Sequence, residues 1–236
     1  MKFKSLLGLS MALLCLAACK KNDPITNPPI EKPDPLELLG DSASFTFEGK
    51  SISVNNVNSF SRFNLQSNSK IDSIVKGVKY ISGDKDSTMY GQDYSIHDKD
   101  YDNSITVTFA KKFNKNNMNN NNLWSHTPKN FLELYYTGNY PYAVDLHKEN
   151  TQNGIAVSLK SGRQSYKSSG PDYFSNEPTT IKKDAQKDSK FEVTKLTKLK
   201  SGLYLLEAKF SLTVFGEAET PKKLENGYLR IRINTL

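Results

Sequence analysis

Where residues beyond 40 show a regular pattern, it is mostly an alternation of apolar and polar residues, which is the period of half-buried β-strands. The clearest run is 104–113, where Ile105, Val107 and Phe109 share one face and threonines alternate with them. The Gly49-Lys50 pair separates the first two runs and indicates a hairpin turn. Further runs with this period lie at 44–48, 51–55, 59–65, 75–81, 155–159, 191–193, 203–215 and 227–233.

One segment has the period of a helix instead. Thr127 suits an N-cap, Pro128 suits the first helical position, and Gly138 suits the residue that follows the last turn. Apolar residues at helical spacing lie between them. We therefore predict an all-β fold, an antiparallel β-sandwich or open barrel, with one short helix at about 128–137.

The first residues have the pattern of a secretory signal. Lys2 and Lys4 precede a mostly apolar stretch at 6–18. That stretch is too short to span a bilayer as a helix, which takes about 20 residues. An ordinary cleaved signal peptide is one interpretation. Leu16-Ala17-Ala18-Cys19 resembles a bacterial lipobox, and this resemblance implies that the Cys19 thiol is diacylated and anchors the chain to a membrane.

A proline-rich segment follows Cys19. Five prolines, at positions 24, 28, 29, 33 and 35, make it unsuited to a helix or a central strand. We predict three parts: a signal peptide at 1–18, a lipid anchor and tether at 19–40, and a single β-sandwich domain at 41–236. In Gram-negative lipoproteins a non-acidic residue after the cysteine, here Lys20, implies the outer membrane. The Lys20–Asp23 stretch matches only in part the acidic signal for display on the cell exterior.

Charge and cysteine content exclude several classes of protein. Removing 1–18 takes away two lysines and no acid, which lowers the net charge from +7 to +5. The basic residues are spread along the chain, whereas a nucleic-acid-binding protein concentrates them on one element, so we predict no nucleic-acid partner. Cys15 and Cys19 are the two cysteines, so the mature domain can hold neither a disulfide nor a cysteine nucleophile.

Both ends of the predicted domain carry motifs of a known group of proteins. Phe45-Thr46-Phe47-Glu48-Gly49-Lys50 forms an opening hairpin, and Asn226-Gly227-Tyr228-Leu229-Arg230-Ile231 forms a closing strand. Val193-Thr194-Lys195-Leu196, Gly202-Leu203-Tyr204 and Ala208-Lys209-Phe210-Ser211 belong to the same pattern. With the lipobox and tether, the chain resembles small outer-membrane lipoproteins of Bacteroidota of unknown function. The resemblance implies a β-sandwich and brings no catalytic residues.

An acidic stretch before the clearest strand suggests a metal site. Asp98, Asp100 and Asp102 have the first, third and fifth positions of a calcium loop. Asn103 stands where the loop needs glycine, and Phe109 stands where it needs a bidentate glutamate. A polar hairpin turn explains the same residues without a metal. Calcium is therefore a candidate cofactor.

Aromatic side chains are frequent in the middle of the chain. Flat rings on exposed loops stack on sugars and are enriched in protein interfaces. We expect Tyr135 and Tyr136 to pack the predicted helix. The candidate ligand-binding residues are Trp124, Tyr140, Tyr142, Tyr173 and Phe174.

Familiar catalytic motifs are missing from the sequence: it has no H-E-x-x-H and no G-x-S-x-G. The leading hypothesis is a non-enzymatic, lipid-anchored module that binds a glycan or a partner protein outside the cell. The alternatives are a structural or assembly component of an outer-membrane complex, and a hydrolase with an unrecognised carboxylate site. Buried aromatics would favour the assembly component, and a deep acidic cleft would favour the hydrolase.

Overall fold

The structure, a computed structural model, describes residues 34–122, 125–170 and 179–234. Asp34–Leu236 is one compact unit. The unit begins within the predicted tether, because Glu37 accepts a hydrogen bond from the Ser201 amide and Arg230 donates one to the Gly40 carbonyl. The predicted signal peptide and Cys19 lie outside the described residues. The described part contains no helix that is long and apolar enough to cross a membrane.

The described residues form fifteen strands, and every strand pair is antiparallel. Short 3-10 helices lie at Pro35–Leu38, Lys115–Asn117, Phe131–Leu134 and Glu217–Glu219. The strands are β1 (Ser42–Phe47), β2 (Lys50–Val54), β3 (Asn56–Gln66), β4 (Lys70–Val75), β5 (Val78–Ser82), β6 (Ser87–His97), β7 (Asn103–Asn114), β8 (Met118–Asn122), β9 (Ser125–Pro128), β10 (Gly138–Tyr140), β11 (Gly154–Ser161), β12 (Gln164–Lys167), β13 (Lys190–Lys198), β14 (Tyr204–Phe215) and β15 (Pro221–Ile233).

Strand β14 divides the main sheet into two layers. One of its edges pairs with β15, and its other edge pairs first with β13 and then, at Phe215, with Lys167 of β12. One layer is therefore β2-β1-β15-β14-β13-β10, and the other is β12-β11-β7-β6-β3. Their inner faces pack together, and the Phe109 ring of β7 lies 5.9 Å from that of Phe191 in β13. The all-β antiparallel prediction is confirmed, and the arrangement is sandwich-like.

Side chains that alternate between buried and exposed along each strand explain how the two layers pack against each other. Ile105, Val107 and Phe109 of β7 are all fully buried, as the alternation predicted. The predicted opening hairpin is also present, and Glu48 and Gly49 have φ of 48° and 75°, which is the left-handed pair of a tight hairpin turn.

The predicted helix at 128–137 is wrong. Thr127 and Pro128 belong to β9, which pairs with β8, and Gly138 begins β10, which pairs with β13. Only a single turn of 3-10 helix, Phe131–Leu134, lies between them. Strand pairing at both ends leaves no room for a longer helix, so tertiary contacts override the local capping signals.

A second, smaller core lies on the outer face of the β6-β7-β11 layer. Met89, Ala110 and Ala156 of the sheet are covered there by Ala143 and Leu146 of the 141–153 connection. Asp145 stabilises that connection by accepting hydrogen bonds from Thr151 and Gln152. This cover extends over one end of the outer face only.

Candidate functional site

The uncovered end of the outer face is lined by polar side chains in register. Ser104, Lys160 and Ser165 are partners across β7, β11 and β12, and they form one row. A second row, two residues away on each strand, consists of Thr106, Ser158 and Lys167. The intervening residues point into the core, so these two rows form one polar surface.

This surface is the floor of a groove of about 800 Å³, which we call the polar groove. The volume is within the range of small-molecule sites, about 300–1,000 Å³. The opposite wall comes from the β14–β15 connection and from the β1–β2 turn. The groove is lined by Glu48, Ser104, Thr106, Ser158, Leu159, Lys160, Arg163, Gln164, Ser165, Tyr166, Lys167, Phe215, Gly216, Glu217, Thr220 and Lys222.

Basic side chains outnumber acidic ones in the polar groove, four to two. The Lys222 ammonium pairs with Glu48, and this interaction raises the pKa of Lys222. The Lys160 ammonium donates to the Tyr101 carbonyl at 2.8 Å. Arg163 is exposed, and its guanidinium has no hydrogen bond or ion pair with the described residues. Once the Glu48–Lys222 pair is set aside, the remaining charge of the groove is positive.

The Tyr166 ring packs behind the groove and leaves no face open on which a ligand could stack. It is 5% exposed and packs edge-on against Phe47 at 4.9 Å. Its hydroxyl donates to the Gln164 side chain. Gly216 lies directly against the ring, since a Cβ there would be 2.8 Å from it. Hydroxyl, amide and charged side chains are therefore the polar groups that the groove presents.

The wall formed by the β14–β15 connection is fixed by Glu219. Its carboxylate accepts hydrogen bonds from the Thr179 and Thr180 hydroxyls, each at 2.6 Å. Burial raises the pKa of Glu219, but the hydrogen bonds from these threonines together lower it below its usual value. The charged carboxylate thus ties the start of the 179–190 segment to the groove wall.

The predicted calcium loop is a hairpin turn in the structure. The Asp98 carboxylate accepts hydrogen bonds from the Asn103 side chain at 2.7 Å, from the Asn103 amide and from the Asp102 amide. The Asn103 bond is the main reason that the pKa of Asp98 is lowered. Asp98, Asp100 and Asp102 form no metal-binding cluster, and neither do any other acidic, histidine or cysteine side chains in the described ranges. The geometry gives the calcium prediction no support.

The expectation that Tyr140 and Tyr142 are exposed is wrong. They are 7% and 8% exposed, and burial raises the pKa of each hydroxyl. The Tyr142 hydroxyl lies 3.1 Å from the Lys190 carbonyl, and Tyr140 packs on Phe109 at 5.6 Å. These rings therefore belong to the core. Trp124, Tyr173 and Phe174 lie outside the described residues.

Sequence reasoning did not find the polar groove. The signal was present in the polar half of the alternation in β7 and β11, which by itself indicates only a half-buried strand. A hydroxyl row becomes a site only where a second wall faces it, and that wall comes from residues 48 and 215–222.

Fold and groove together define a class, an all-β sandwich-like domain with an open, basic, hydroxyl-lined site. Comparison with known proteins gives no match at the level of a family model, a curated protein or a solved structure.

Proposed function

We propose that this chain is a non-enzymatic binding module of the cell envelope, and that its polar groove binds a glycan that carries acidic groups. The observation that supports this most directly is the set of hydroxyls from three strands beside an excess of basic side chains. Serine and threonine hydroxyls both donate and accept hydrogen bonds, which suits the hydroxyls of a sugar. The planar guanidinium of Arg163 suits a carboxylate or sulfate group, because it can form two parallel hydrogen bonds.

Charge in the groove favours binding over hydrolysis. Most glycoside hydrolases use two carboxyl groups that flank the scissile bond. The two groove carboxylates are Glu48 and Glu217, and Glu48 is engaged with Lys222. The groove is open and basic, whereas the hydrolase hypothesis calls for a deep acidic cleft.

The proposed location is the outer membrane, with anchoring through acylated Cys19 and with the domain displayed on the cell exterior. The support is the lipobox pattern and the proline-rich segment after it. Mass spectrometry of the mature N-terminus tests the anchor, and a Cys19→Ala variant should leave the membrane fraction. Protease treatment of intact cells tests display, since an uncut protein would argue against an exterior position.

The second candidate is a structural or assembly component of an envelope complex that binds a partner protein. Burial of Tyr135, Tyr140 and Tyr142 favours it, because these rings contribute to the core and offer no surface for stacking on sugars. A pull-down from outer membranes distinguishes this candidate from the first.

The test is a screen of acidic and neutral glycans with the full chain, run with calcium and again with chelator. We expect saturable binding to acidic glycans in both arms. Arg163→Gln should weaken that binding by about 10- to 100-fold, the equivalent of a charged hydrogen bond of about 1.5–3 kcal/mol.

Lys195→Gln is the matched control, because it removes one exposed positive charge from β13, outside the groove. The glycan affinity of this variant should stay within about twofold of the parent, because salt screens an exposed charge that is far from the ligand. Equal losses in both variants would show a nonspecific charge effect. No saturable binding to any acidic glycan would refute the proposal.

A further inference from the structure

Strands β4 and β5 form a hairpin that stands apart from the sandwich. Its two strands pair with each other and with no other strand in the described ranges. Lys76 and Gly77 form the turn with φ of 49° and 79°, which is a two-residue hairpin turn of the left-handed kind. The predicted single strand at 75–81 therefore spans this turn, and the prediction was wrong there.

The hairpin exposes an unusual share of apolar surface. Nine large hydrophobic side chains are exposed in the described residues, and five of them belong to this hairpin. Contiguous exposed apolar patches on soluble domains mark interaction sites. The five are Ile71, Ile74, Val75, Val78 and Tyr80, which are between 47% and 61% exposed.

The apolar side chains lie on both faces of the hairpin. The register pairs Ile71 with Ile81 and Ile74 with Lys79, which places the three isoleucines on one face. Val75 pairs with Val78 on the other face, and Tyr80 lies on that face too, because it is two residues after Val78 on β5. A folded partner that docks on one face would leave the other face in water, whereas a lipid phase surrounds both.

The base of the hairpin is held firmly. Backbone amides of Asn68 and Ser69 donate to the carbonyls of Asn150 and Glu149, at 3.2 and 2.7 Å. Asn150 is 1% exposed, and its side-chain amide donates to the Gln66 carbonyl and to the Ser69 hydroxyl. A fixed base orients the apolar tip in a constant direction relative to the domain.

Charge around the hairpin complements an anionic surface. The hairpin carries three lysines, Lys70, Lys76 and Lys79, and one acid, Asp72. Lysines beside an apolar tip can extend along it and keep their ammonium groups among lipid headgroups. Tyrosine is enriched at the same depth of a bilayer.

We propose that the β4–β5 hairpin is a membrane-contact element, whose tip inserts into the interface of a bilayer that contains anionic lipid. Insertion is shallow, about 5–10 Å, as for other interfacial elements. Neither outer edge of the hairpin has a strand partner among the described residues, and backbone N–H and C=O groups without partners cannot enter the hydrocarbon core. A second attachment of this kind would orient the groove relative to the membrane.

The test places an environment-sensitive dye on the hairpin. The full chain is prepared with Cys15→Ala and Cys19→Ala, so that a single cysteine introduced as Val75→Cys carries the dye. We expect a blue shift on addition of phosphatidylcholine–phosphatidylglycerol vesicles, a smaller shift with pure phosphatidylcholine, and quenching by lipids labelled on their acyl chains. A dye at Lys200→Cys, on the exposed β13–β14 turn, should show none of these changes.

Substitution gives an independent measure with unlabelled protein. Ile74→Ser and Val78→Ser should each weaken vesicle binding about tenfold, the equivalent of one apolar side chain leaving the interface. Phe60→Ser is the matched control, because Phe60 is 56% exposed on β3, outside the hairpin. Unchanged circular dichroism shows that the variants fold.

A dye at position 75 that stays in water with every vesicle would overturn the proposal. So would a shift that arises only with membrane proteins and not with protein-free vesicles, because the occupant would then be a protein. Glycan binding in the polar groove is measured separately and does not depend on this result.

Discussion

Two buried tyrosines supply a sharp test of the core. The Tyr94 and Tyr135 hydroxyls lie 2.8 Å apart, and the side chains are 5% and 3% exposed. Both rings also pack on Phe109, at 6.1 and 5.1 Å. Replacement of either tyrosine by phenylalanine removes one hydroxyl and keeps these ring contacts.

The expected loss follows from the partner that is left behind. Tyr94→Phe leaves the Tyr135 hydroxyl buried without its partner, which costs about 1–3 kcal/mol of unfolding free energy. Tyr135→Phe should cost a similar amount. The double variant should lie within about 1 kcal/mol of the parent, because replacing both partners leaves no orphaned polar group. The coupling energy of the pair is the sum of the two single losses minus the loss in the double variant, which is about 1–6 kcal/mol.

Urea unfolding of the four proteins, followed by circular dichroism, measures this cycle. Tyr90→Phe is the matched control: Tyr90 is 1% exposed, and its hydroxyl has no hydrogen-bond partner in the described residues. It should be neutral or stabilising. Additive losses in the double variant, or a loss at Tyr90→Phe equal to that at Tyr94→Phe, would refute the reasoning.

Three further predictions concern pH, backbone space and the β6–β7 turn. Burial raises the pKa of Tyr90 to about 12, whereas an unfolded tyrosine titrates near 10. The folded state therefore keeps its full stability below pH ~10 and loses part of it as the pH rises toward ~12, because the unfolded chain releases this proton first. Melting temperature should therefore fall in that window, less steeply for Tyr90→Phe; an identical slope would contradict this. Gly154→Ala should lower the free energy of unfolding in urea by about 2–4 kcal/mol, because φ is +133° and a Cβ would lie 2.0 Å from the Pro141 carbonyl oxygen. Gly40→Ala is the control and should leave the free energy of unfolding nearly unchanged, because a Cβ there would have nothing within 4 Å. Asp98→Ala should lower the melting temperature equally with calcium and with chelator, and a calcium-dependent shift in the parent would revive the metal site.

Candidate sites were harder to predict than strands. Asp98, Asp100 and Asp102 have the spacing of a calcium loop, but the Asp98 carboxylate is already occupied by amides of its own turn. Tyr140 and Tyr142 were candidates for exposed rings because they lie in a turn-like stretch around Pro141, yet the fold buries both. Ligand spacing and residue type do not report which groups are already bonded or buried.

Local chemistry by itself determined most strands of the two layers and a hairpin turn at Gly49, because alternation and turn residues are properties of a few adjacent positions. No predicted run covers β6, β10 or β12, which join the layers by pairing with their neighbours. Tertiary structure prevented a helix at 128–137, because the residues at its two ends form strands that pair with β8 and β13. It also decided where a binding groove forms. The hydroxyls of β7 and β11 meet the β14–β15 wall only after the main sheet divides at β14. Pairing between strands far apart in sequence depends on the contacts of the whole domain, and no short pattern encodes it.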